Sequence, residues 1–395
     1  MIGVSKLYCG TVEPSDVLRY KRKIRDLPSH LIQFAEDKRP VVVWNVTRRC
    51  NLRCIHCYAK AEDREFSNEL STKEGKALID NLVAFGCPVI LFSGGEPLIR
   101  KDVPDLAEHA ASRGIRVVIS TNGTLINRQL AKTLKKVGVS YAGVSIDGME
   151  DVHDKFRGIK GAFKAALSGI KYCQEAGIKT GLRFTISRMN AKEIPAIFDL
   201  VEREEIDRVC FYHLVYAGRG SNLIKEDLSH NETRKVVDLI IDRTYELFKK
   251  GKGKEVLTVD NHADGPYIYL RLLAERSPRA PEVLELLKMN EGNNSGTGIG
   301  CVSWEGEVHA DQFWRHYSFG NVRKRPFSEI WLDTSDPLMA KIKEKKKHVK
   351  GRCSKCKWLD VCAGNFRVRA ETVYGDIWAQ EPACYLTDKE IGLEG

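Results

Sequence analysis

The feature that most constrains the fold is a repeating order of short apolar, β-branched runs and helical stretches. Six such runs occur at 41–46, 89–92, 115–119, 139–146, 179–186 and 208–215. Helix signals lie between them; stretch 71–85, for example, begins with the capping box Ser71 and Glu74 and is followed by Gly86. Strands that alternate with helices form parallel sheets. We therefore predict an α/β protein built on a partial (β/α)6 barrel of the TIM type.

The length of the chain favours a second, smaller domain beside the barrel. With 395 residues, it exceeds the size at which a single hydrophobic core usually stops growing. The N-terminal part carries a basic cluster at 19–23, and stretch 292–300 is rich in glycine, asparagine and serine. Four segments are predicted: an N-terminal arm (1–39), the barrel (40–230), a helical connection with a linker (231–300) and a cysteine-bearing domain (301–395).

Composition limits the location and the partners. No apolar run approaches the roughly 20 residues that a membrane span needs, and residues 1–10 lack a secretory leader, so a cytoplasmic protein with no membrane partner is expected. The net charge is +10, but lysines and arginines are spread along the chain, which predicts a solvated basic surface rather than a nucleic-acid site. Attraction of a polyanionic substrate is the main alternative. The 12 cysteines of a chain without an export signal favour metal ligation over disulfides.

Three of these cysteines share one tight loop after the first predicted strand. Cys50, Cys54 and Cys57 form a CxxxCxxC pattern. Three thiolates bind three irons of a cubane [4Fe-4S] cluster and leave the fourth iron without a protein ligand. A zinc site is the alternative, but no fourth cysteine or histidine follows at the spacing of a zinc finger.

The second predicted strand ends in Ser93-Gly94-Gly95-Glu96-Pro97. Together with the cysteine loop, this stretch resembles the radical S-adenosylmethionine (SAM) superfamily. The resemblance implies that the open iron binds SAM and that reductive cleavage of SAM yields a 5′-deoxyadenosyl radical. It also implies a close approach of the Gly94 and Gly95 backbone to the methionine part of SAM, which a Cβ would hinder. A simple tight turn is the alternative explanation of these glycines.

Further SAM contacts are implied at the ends of later strands. Asn122 is at the end of the third predicted strand, Ser145 and Asp147 are at the end of the fourth, and Arg157 resembles the arginine that pairs with the SAM carboxylate in related enzymes. With Gly94, Gly95 and Glu96, these residues form the predicted cofactor site. Ordinary turn chemistry for the short polar residues and a surface role for the arginine are the alternatives.

Four more cysteines lie in the C-terminal part. Cys353, Cys356, Cys362 and Cys384 supply enough thiolates to saturate a whole cluster. Their spacing resembles the auxiliary [4Fe-4S] site of the SPASM extension, and structural zinc is the alternative. A second auxiliary cluster is not expected, because Asp311 and Phe366 stand where that pattern has cysteines. Cys301 is left over, as a buried thiol or as an extra ligand.

Resemblance over the whole length narrows the substrate. Stretches 2–16, 304–321 and 366–371 look like the tetrapyrrole branch of the superfamily, and most of all like its didecarboxysiroheme deacetylases. That family removes two acetate side chains from 12,18-didecarboxysiroheme and yields Fe-coproporphyrin III in the siroheme-dependent haem pathway. The resemblance implies an iron tetrapyrrole substrate and a low-potential electron donor such as ferredoxin or flavodoxin. As a hypothesis, segment 304–321 lines the substrate site, with His309 or His316 as an iron ligand.

Other functions remain open from the sequence. The nearest is another tetrapyrrole radical enzyme, acting in haem d1 synthesis or decarboxylating Fe-coproporphyrin. A peptide-modifying SPASM enzyme is more distant, because only about 40 residues precede the first predicted strand, too few for a peptide-docking domain. A non-enzymatic iron–sulfur protein would differ from all of these by forming no 5′-deoxyadenosine.

Overall fold

The structure is a computed structural model that describes residues 1–13, 15–20 and 39–393. Most of the predicted basic cluster, together with residues 24–38 of the N-terminal arm, lies outside the described residues. The strands are β1 Ile2–Gly3, β2 Val41–Thr47, β3 Val89–Gly94, β4 Arg116–Thr121, β5 Val139–Ser145, β6 Lys179–Thr185, β7 Arg208–Tyr212, β8 Glu255–Val259, β9 Ile299–Val302 and β10 Val308–His309.

The helices follow the predicted alternation through the barrel and then continue without it. They are α1 Asp16–Tyr20, α2 Thr72–Phe85, α3 Val103–Ala111, α4 Arg128–Lys136, α5 Glu150–Arg157, α6 Ala162–Glu175, α7 Ile194–Arg203, α8 His230–Lys249, α9 Asp264–Ala274, α10 Ala280–Asn290, α11 Phe327–Leu332, α12 Pro337–Lys343, α13 Leu359–Cys362, α14 Arg367–Tyr374 and α15 Asp388–Ile391. None of the helices in the described ranges is long and apolar enough to cross a membrane.

All strands belong to one sheet, ordered β1-β8-β7-β6-β5-β4-β3-β2-β9-β10. Strands β2 to β8 run parallel in chain order, as predicted for the first six of them. At the two ends, β1 pairs antiparallel with β8, and β9 pairs parallel with β2. The parallel strands therefore end on one common side, where the loops that follow them meet.

Two strands lie inside the segment that the sequence analysis took for helices and a linker. Strand β8 pairs parallel with β7 and extends the barrel beyond the six predicted units. Its five residues are all buried, and so short a strand after a 20-residue helix gives a weak signal. Strand β9 spans residue 300, so the predicted boundary between 300 and 301 falls within a paired strand. The predicted helices of that segment correspond to α8, α9 and α10.

Side chains alternate between the two faces of the strands. Val42 and Trp44 of β2 and Ile90 and Phe92 of β3 are buried in the apolar layer beneath the helices. The intervening residues, such as Val43, point into the barrel, where they line a cavity. The capping box of α2 forms as predicted, because the Ser71 hydroxyl accepts from the Glu74 amide and the Glu74 carboxylate accepts from the Ser71 amide. The sheet thus presents an apolar outer face and a more polar interior.

Candidate active site

A cavity of about 1040 Å³ opens at the side of the sheet where the parallel strands end. Its walls include most of the residues that the sequence analysis assigned to the cluster and to SAM: Cys50, Cys54, Cys57, Gly94, Gly95, Asn122, Ser145 and Arg157. These residues come from the cysteine loop, the ends of β3, β4 and β5, and helix α5, and the fold brings them together around one cavity. Glu96 and Asp147 do not line this cavity; both are fully buried behind it.

The cysteine loop is fixed by hydrogen bonds to two neighbouring segments. The amides of Arg53 and Ile55 donate to the carbonyls of Arg157 and Phe156, at 2.9 and 3.0 Å. From the other side, the Arg219 guanidinium donates to the Cys54 carbonyl at 2.8 Å. Burial raises the pKa of Cys50 to about 12, so a thiolate at this position needs bound positive charge such as an iron ion.

The two glycines are required by the protein's own backbone. Gly94 has φ +127°, and a Cβ on it would lie 2.3 Å from the Thr47 carbonyl oxygen. A Cβ on Gly95 would lie 2.2 Å from the Arg49 carbonyl oxygen. The sequence analysis attributed both glycines to the close approach of SAM. The structure adds a second reason, which is that the loop after β3 packs directly against the start of the cysteine loop.

Glu96 connects this loop to the end of β4. Its carboxylate accepts hydrogen bonds from the Thr121 hydroxyl and the Asn122 amide, both at 2.7 Å, and from the Leu98 amide at 3.1 Å. Burial raises the pKa of Glu96 to about 7. Because its carboxylate is enclosed by these partners, the geometry makes Glu96 a positioning residue for the Asn122 wall of the cavity.

Arg157 and Asp147 form a buried ion pair next to the cysteine loop. Asp147 also accepts from the Thr185 amide at 2.7 Å, and Arg157 Nη1 lies 3.4 Å from Cys54 Sγ. Burial alone would raise the pKa of Asp147, but the Arg157 guanidinium, together with weaker interactions that include the Thr185 amide, holds that pKa below its usual value. Arg157 Nε is buried and has no hydrogen-bond partner among the described residues, so one donor in the cavity wall is unused.

Sequence reasoning missed the other half of the cavity wall, which follows strands β6 to β8. Arg183 is on β6, Tyr212 and His213 end β7, and Asp260 follows β8. His213 Nε2 lies 2.9 Å from Asp264 Oδ2, and the Tyr385 hydroxyl donates to the other oxygen of Asp264 at 2.6 Å. The same rule that located the SAM motifs, namely that side chains at the ends of parallel strands share a site, was available for these residues.

The raised pKa of the buried Asp260 predicts that the stability of the protein depends on pH. Burial raises its pKa to about 7, although Arg369 lowers it. The folded protein therefore retains a proton that the unfolded chain releases near pH 4, and Asp260 lowers the free energy of unfolding as pH rises from about 4 to about 7. Asp260→Asn removes this contribution. We expect the difference in Tm, variant minus wild type, to be larger at pH 7.5 than at pH 5.5 in anaerobic thermal melts.

The exposed Asp360, on α13, provides the matched control. Asp360→Asn should give a Tm difference that hardly changes between the two pH values. An Asp260→Asn difference that stays equally flat would contradict the assignment of a neutral, buried Asp260.

The segment predicted to line the tetrapyrrole site is only partly at the cavity. Gln312 and Phe313 line it. His309 is buried on β10 with Nδ1 2.7 Å from the Tyr317 carbonyl oxygen, and His316 is exposed with Nε2 3.0 Å from a Glu371 oxygen. Neither histidine lines the cavity, so the structure gives no support to the hypothesis that one of them binds the substrate iron.

The four C-terminal cysteines line a second cavity, of about 430 Å³. Cys353 Sγ accepts from the Glu381 amide, and Cys356 Sγ accepts from the Trp358 amide, both at 3.3 Å. Cys362 and Cys384 likewise interact with the amides of Gly364 and Leu386. Backbone amides aimed at each sulfur suit thiolate ligands, because they stabilise negative charge there.

Neither group of cysteines converges on one point. Among the described residues, no three His, Cys, Asp or Glu side chains are placed to bind a single metal ion. A cubane needs no such point, since each thiolate binds a different iron. The donor sets of three and four cysteines around cavities therefore fit iron–sulfur clusters.

Asp311, Phe366 and Cys301 have structural partners. The Asp311 carboxylate accepts from the amides of Phe313 and Trp314, at 2.8 and 3.0 Å, and so caps a turn. Phe366 is buried with its ring centroid 5.8 Å from that of Phe313. The Asn45 side chain donates to Cys301 Sγ at 3.4 Å, and Cys301 lines neither cavity.

Comparisons with known proteins agree with this arrangement. Residues 44–201 match the Radical SAM superfamily, and residues 296–357 match the SPASM iron-sulfur cluster-binding domain. The first range includes the cysteine loop; the second includes Cys353 and Cys356 but ends before Cys362.

The relatives match over nearly the whole chain. The chain is 68% identical over 395 residues to Fe-coproporphyrin III synthase of Methanosarcina barkeri, covering 99% of each. It is 40% identical over 358 residues to pre-heme d1 synthase of Dinoroseobacter shibae, covering 90% of this chain and 88% of that one.

Among solved structures, Streptococcus suis SuiB bound to S-adenosylmethionine superposes with a TM-score of 0.70 at 18% identity, covering 90% of this chain and 80% of that one, which shows the fold alone. Together with the full-length relatives and the two cysteine-lined cavities, these matches establish that the chain belongs to the radical SAM superfamily: an enzyme with a SPASM domain that uses SAM, a [4Fe-4S] cluster and an auxiliary iron–sulfur cluster.

Proposed function

We propose that this enzyme removes the two acetate side chains of 12,18-didecarboxysiroheme and so forms Fe-coproporphyrin III in the siroheme-dependent haem pathway. The observation that carries the proposal is the 68% identity, over the full length, to the Methanosarcina barkeri Fe-coproporphyrin III synthase. The open cavity supports it, because arginines in its wall suit a substrate that carries several carboxylates.

Different residues of the cavity bind the cluster and SAM. Cys50, Cys54 and Cys57 hold the cluster, and the loop at Gly94 and Gly95 binds the amino end of SAM. When bound, SAM and the cluster supply the 5′-deoxyadenosyl radical that abstracts a hydrogen atom from the substrate.

Other residues in or behind the cavity wall bind or position the rest of the SAM molecule. Asn122 and Ser145 bind the ribose and methionine parts of SAM, and Arg157 pairs with its carboxylate. Glu96 and Asp147 do not contact SAM themselves. Glu96 orients the backbone amide of Asn122, and Asp147 orients the Arg157 guanidinium.

The C-terminal cysteines, Cys353, Cys356, Cys362 and Cys384, would hold the auxiliary [4Fe-4S] cluster, which would supply a site for electron transfer to or from the substrate. A cytoplasmic low-potential carrier such as ferredoxin or flavodoxin supplies the reducing electrons. Such carriers match the requirement for a strongly reducing donor at an iron–sulfur site.

The pairing of Asp147 with Arg157 makes a testable prediction. Asp147→Asn removes the counter-charge, so Arg157 is held less firmly for the SAM carboxylate. We expect the Kd for SAM to rise by about tenfold or more, the scale of one charged hydrogen bond. Equilibrium binding of SAM to the reconstituted protein measures this change, and the iron content should remain that of the wild type.

The control for this prediction lies on α5, the helix that carries Arg157. Asp151 is exposed on α5, and Asp151→Asn should leave the Kd for SAM unchanged. If Asp147→Asn bound SAM as tightly as the wild type, Asp147 would have no role in positioning Arg157.

Anaerobic turnover with didecarboxysiroheme, a reductant and SAM tests the function itself. We expect a product whose mass corresponds to loss of two acetate groups, with two SAM cleaved for each substrate consumed. A change at the propionates would instead assign the enzyme to the chemistry of haem d1 synthesis, for which the 40% identical relative is the reason to look. Absence of 5′-deoxyadenosine would mean an iron–sulfur protein without this activity.

A further inference from the structure

Arg183 lines the cavity and forms no ion pair with any residue of the described ranges. Two arginines line the central cavity, and Arg157 is paired with Asp147. By contrast, among the described residues no carboxylate oxygen lies within 4.0 Å of the Arg183 guanidinium nitrogens. Arg183 donates one hydrogen bond, to the Ser120 hydroxyl, and its Cζ lies 4.7 Å from the centroid of the Tyr212 ring. Most of its five N–H donors are therefore available to a ligand.

The neighbouring strands fix the position of the Arg183 side chain. In the sheet, Arg183 on β6 stands opposite Ser145 on β5. Its stem crosses β5 over Gly143, where a Cβ would lie only 3.0 Å from Arg183 Cδ. The guanidinium reaches Ser120 on β4 and is held at the floor of the cavity, beside the strand that ends in Ser145. A rigid, forked donor at a fixed position binds a carboxylate with little loss of side-chain entropy.

The surroundings of Arg183 do not neutralise its charge. Burial raises the pKa of the neighbouring Tyr141 and Tyr212 far above the usual value, so both phenols are neutral at pH 7. The Cys210 thiol, opposite Arg183 in the register, also has its pKa raised by burial. The nearby Asp260 forms no ion pair with Arg183, and burial raises the pKa of its carboxyl to about 7. A poorly compensated cation in an enclosed site is costly unless an anion binds there.

We propose that Arg183 binds the carboxylate of the acetate side chain that is removed from the substrate. This inference rests on the proposed function. The acetate is attached to the pyrrole at which the radical acts, so its carboxylate must enter the cavity together with SAM. Arg183 lies opposite Ser145, a predicted SAM contact, and is therefore near the reacting edge of the macrocycle.

Substrate and product together test this assignment, because didecarboxysiroheme carries the acetates and Fe-coproporphyrin III does not, whereas both carry propionates. Arg183→Gln should raise the Kd for didecarboxysiroheme by about tenfold or more, the cost of one charged hydrogen-bonding partner. Its Kd for Fe-coproporphyrin III should stay close to that of the wild type. Anaerobic titrations followed in the visible absorption of each tetrapyrrole measure both constants.

Arg116 supplies a matched control. It is a partly buried arginine at the start of β4, at the opposite end of the strand from the cavity, and it also donates to one serine hydroxyl, that of Ser140. Arg116→Gln should bind both tetrapyrroles like the wild type. Iron content and the Kd for SAM of Arg183→Gln should also match the wild type, which shows that the variant has folded and keeps its SAM site.

Three results would overturn the proposal. Unchanged binding of didecarboxysiroheme would remove Arg183 from the substrate site. An equal loss of affinity for both tetrapyrroles would assign it to a propionate, and a loss of affinity for SAM would assign it to the SAM carboxylate. Failure of the proposed function is a separate outcome, since it would show in the wild-type product mass and not in these affinities.

Discussion

Cys54→Ala removes about four irons per chain and abolishes formation of 5′-deoxyadenosine, because two remaining thiolates do not hold a [4Fe-4S] cluster in place. Cys54 is buried in the cavity wall, with Arg157 Nη1 3.4 Å from its sulfur, so solvent does not readily supply a substitute ligand. Iron analysis and chromatography of the reaction mixture measure the two effects. Product formation from the tetrapyrrole should fall below detection.

A second buried cysteine distinguishes loss of a ligand from loss of a thiol. Cys173 on α6 is fully buried and lines neither cavity. Cys173→Ala should keep the iron content of the wild type and its 5′-deoxyadenosine formation. Full iron content in Cys54→Ala would rule out the assigned cluster site.

Cys384→Ala should remove about four irons per chain, those of the auxiliary cluster, and leave the SAM-binding cluster and SAM cleavage intact. Cys384 is separated by 21 intervening residues from Cys362, so its thiolate ties the last segment of the chain to the auxiliary site. We expect the variant to cleave SAM in the absence of substrate but to form no Fe-coproporphyrin III. We also expect a lower Tm, because cluster binding contributes to folding of the loops that hold it.

The control for this variant is Cys301→Ala. Cys301 lies within the same C-terminal part of the chain but accepts a hydrogen bond from Asn45 and lines neither cavity. Iron content should therefore be unchanged in Cys301→Ala. Zinc in place of iron in the wild-type protein, or unchanged iron in Cys384→Ala, would contradict the auxiliary cluster.

The barrel could be predicted from the sequence because its first strands are long and regularly spaced. Strands β2 to β7 contain runs of Val, Ile and Phe that alternate with clear helices, and all six predicted runs are strands. Strand β8 was missed because Val256 and Leu257 form an apolar run too short to stand out after α8. The pairing of β9 with β2 joins residues far apart in sequence, and no local signal specifies such a pairing.

The site was predicted unevenly for a related reason. The cysteine loop and the Gly94-Gly95 stretch have compact motifs, and the structure places them in one cavity. Arg183, His213 and Asp260 have no motif, since each is a single polar residue, Arg183 within β6 and the other two directly after β7 and β8. Arg183 did carry a signal, because an arginine between the buried Leu182 and Phe184 in a strand must face the opposite side of the sheet from them.

For two histidines, the sequence suggested a role in the site that the structure does not support. His309 and His316 were considered as iron ligands because they lie in an aromatic segment near the auxiliary cysteines. The carbonyl of Tyr317 and the carboxylate of Glu371 already bind them, and sequence position alone does not reveal such partners. His213 does line the cavity, but it lies more than 90 residues before His309, directly after β7.

We propose that one cavity holds both SAM and the iron tetrapyrrole, so that the radical formed there attacks the edge of the macrocycle. Turnover of didecarboxysiroheme deuterated uniformly on carbon tests it most directly, by mass spectrometry of the 5′-deoxyadenosine. We predict deuterium in this nucleoside, formed together with Fe-coproporphyrin III. Unlabelled 5′-deoxyadenosine, released while the same product forms, would contradict the claim.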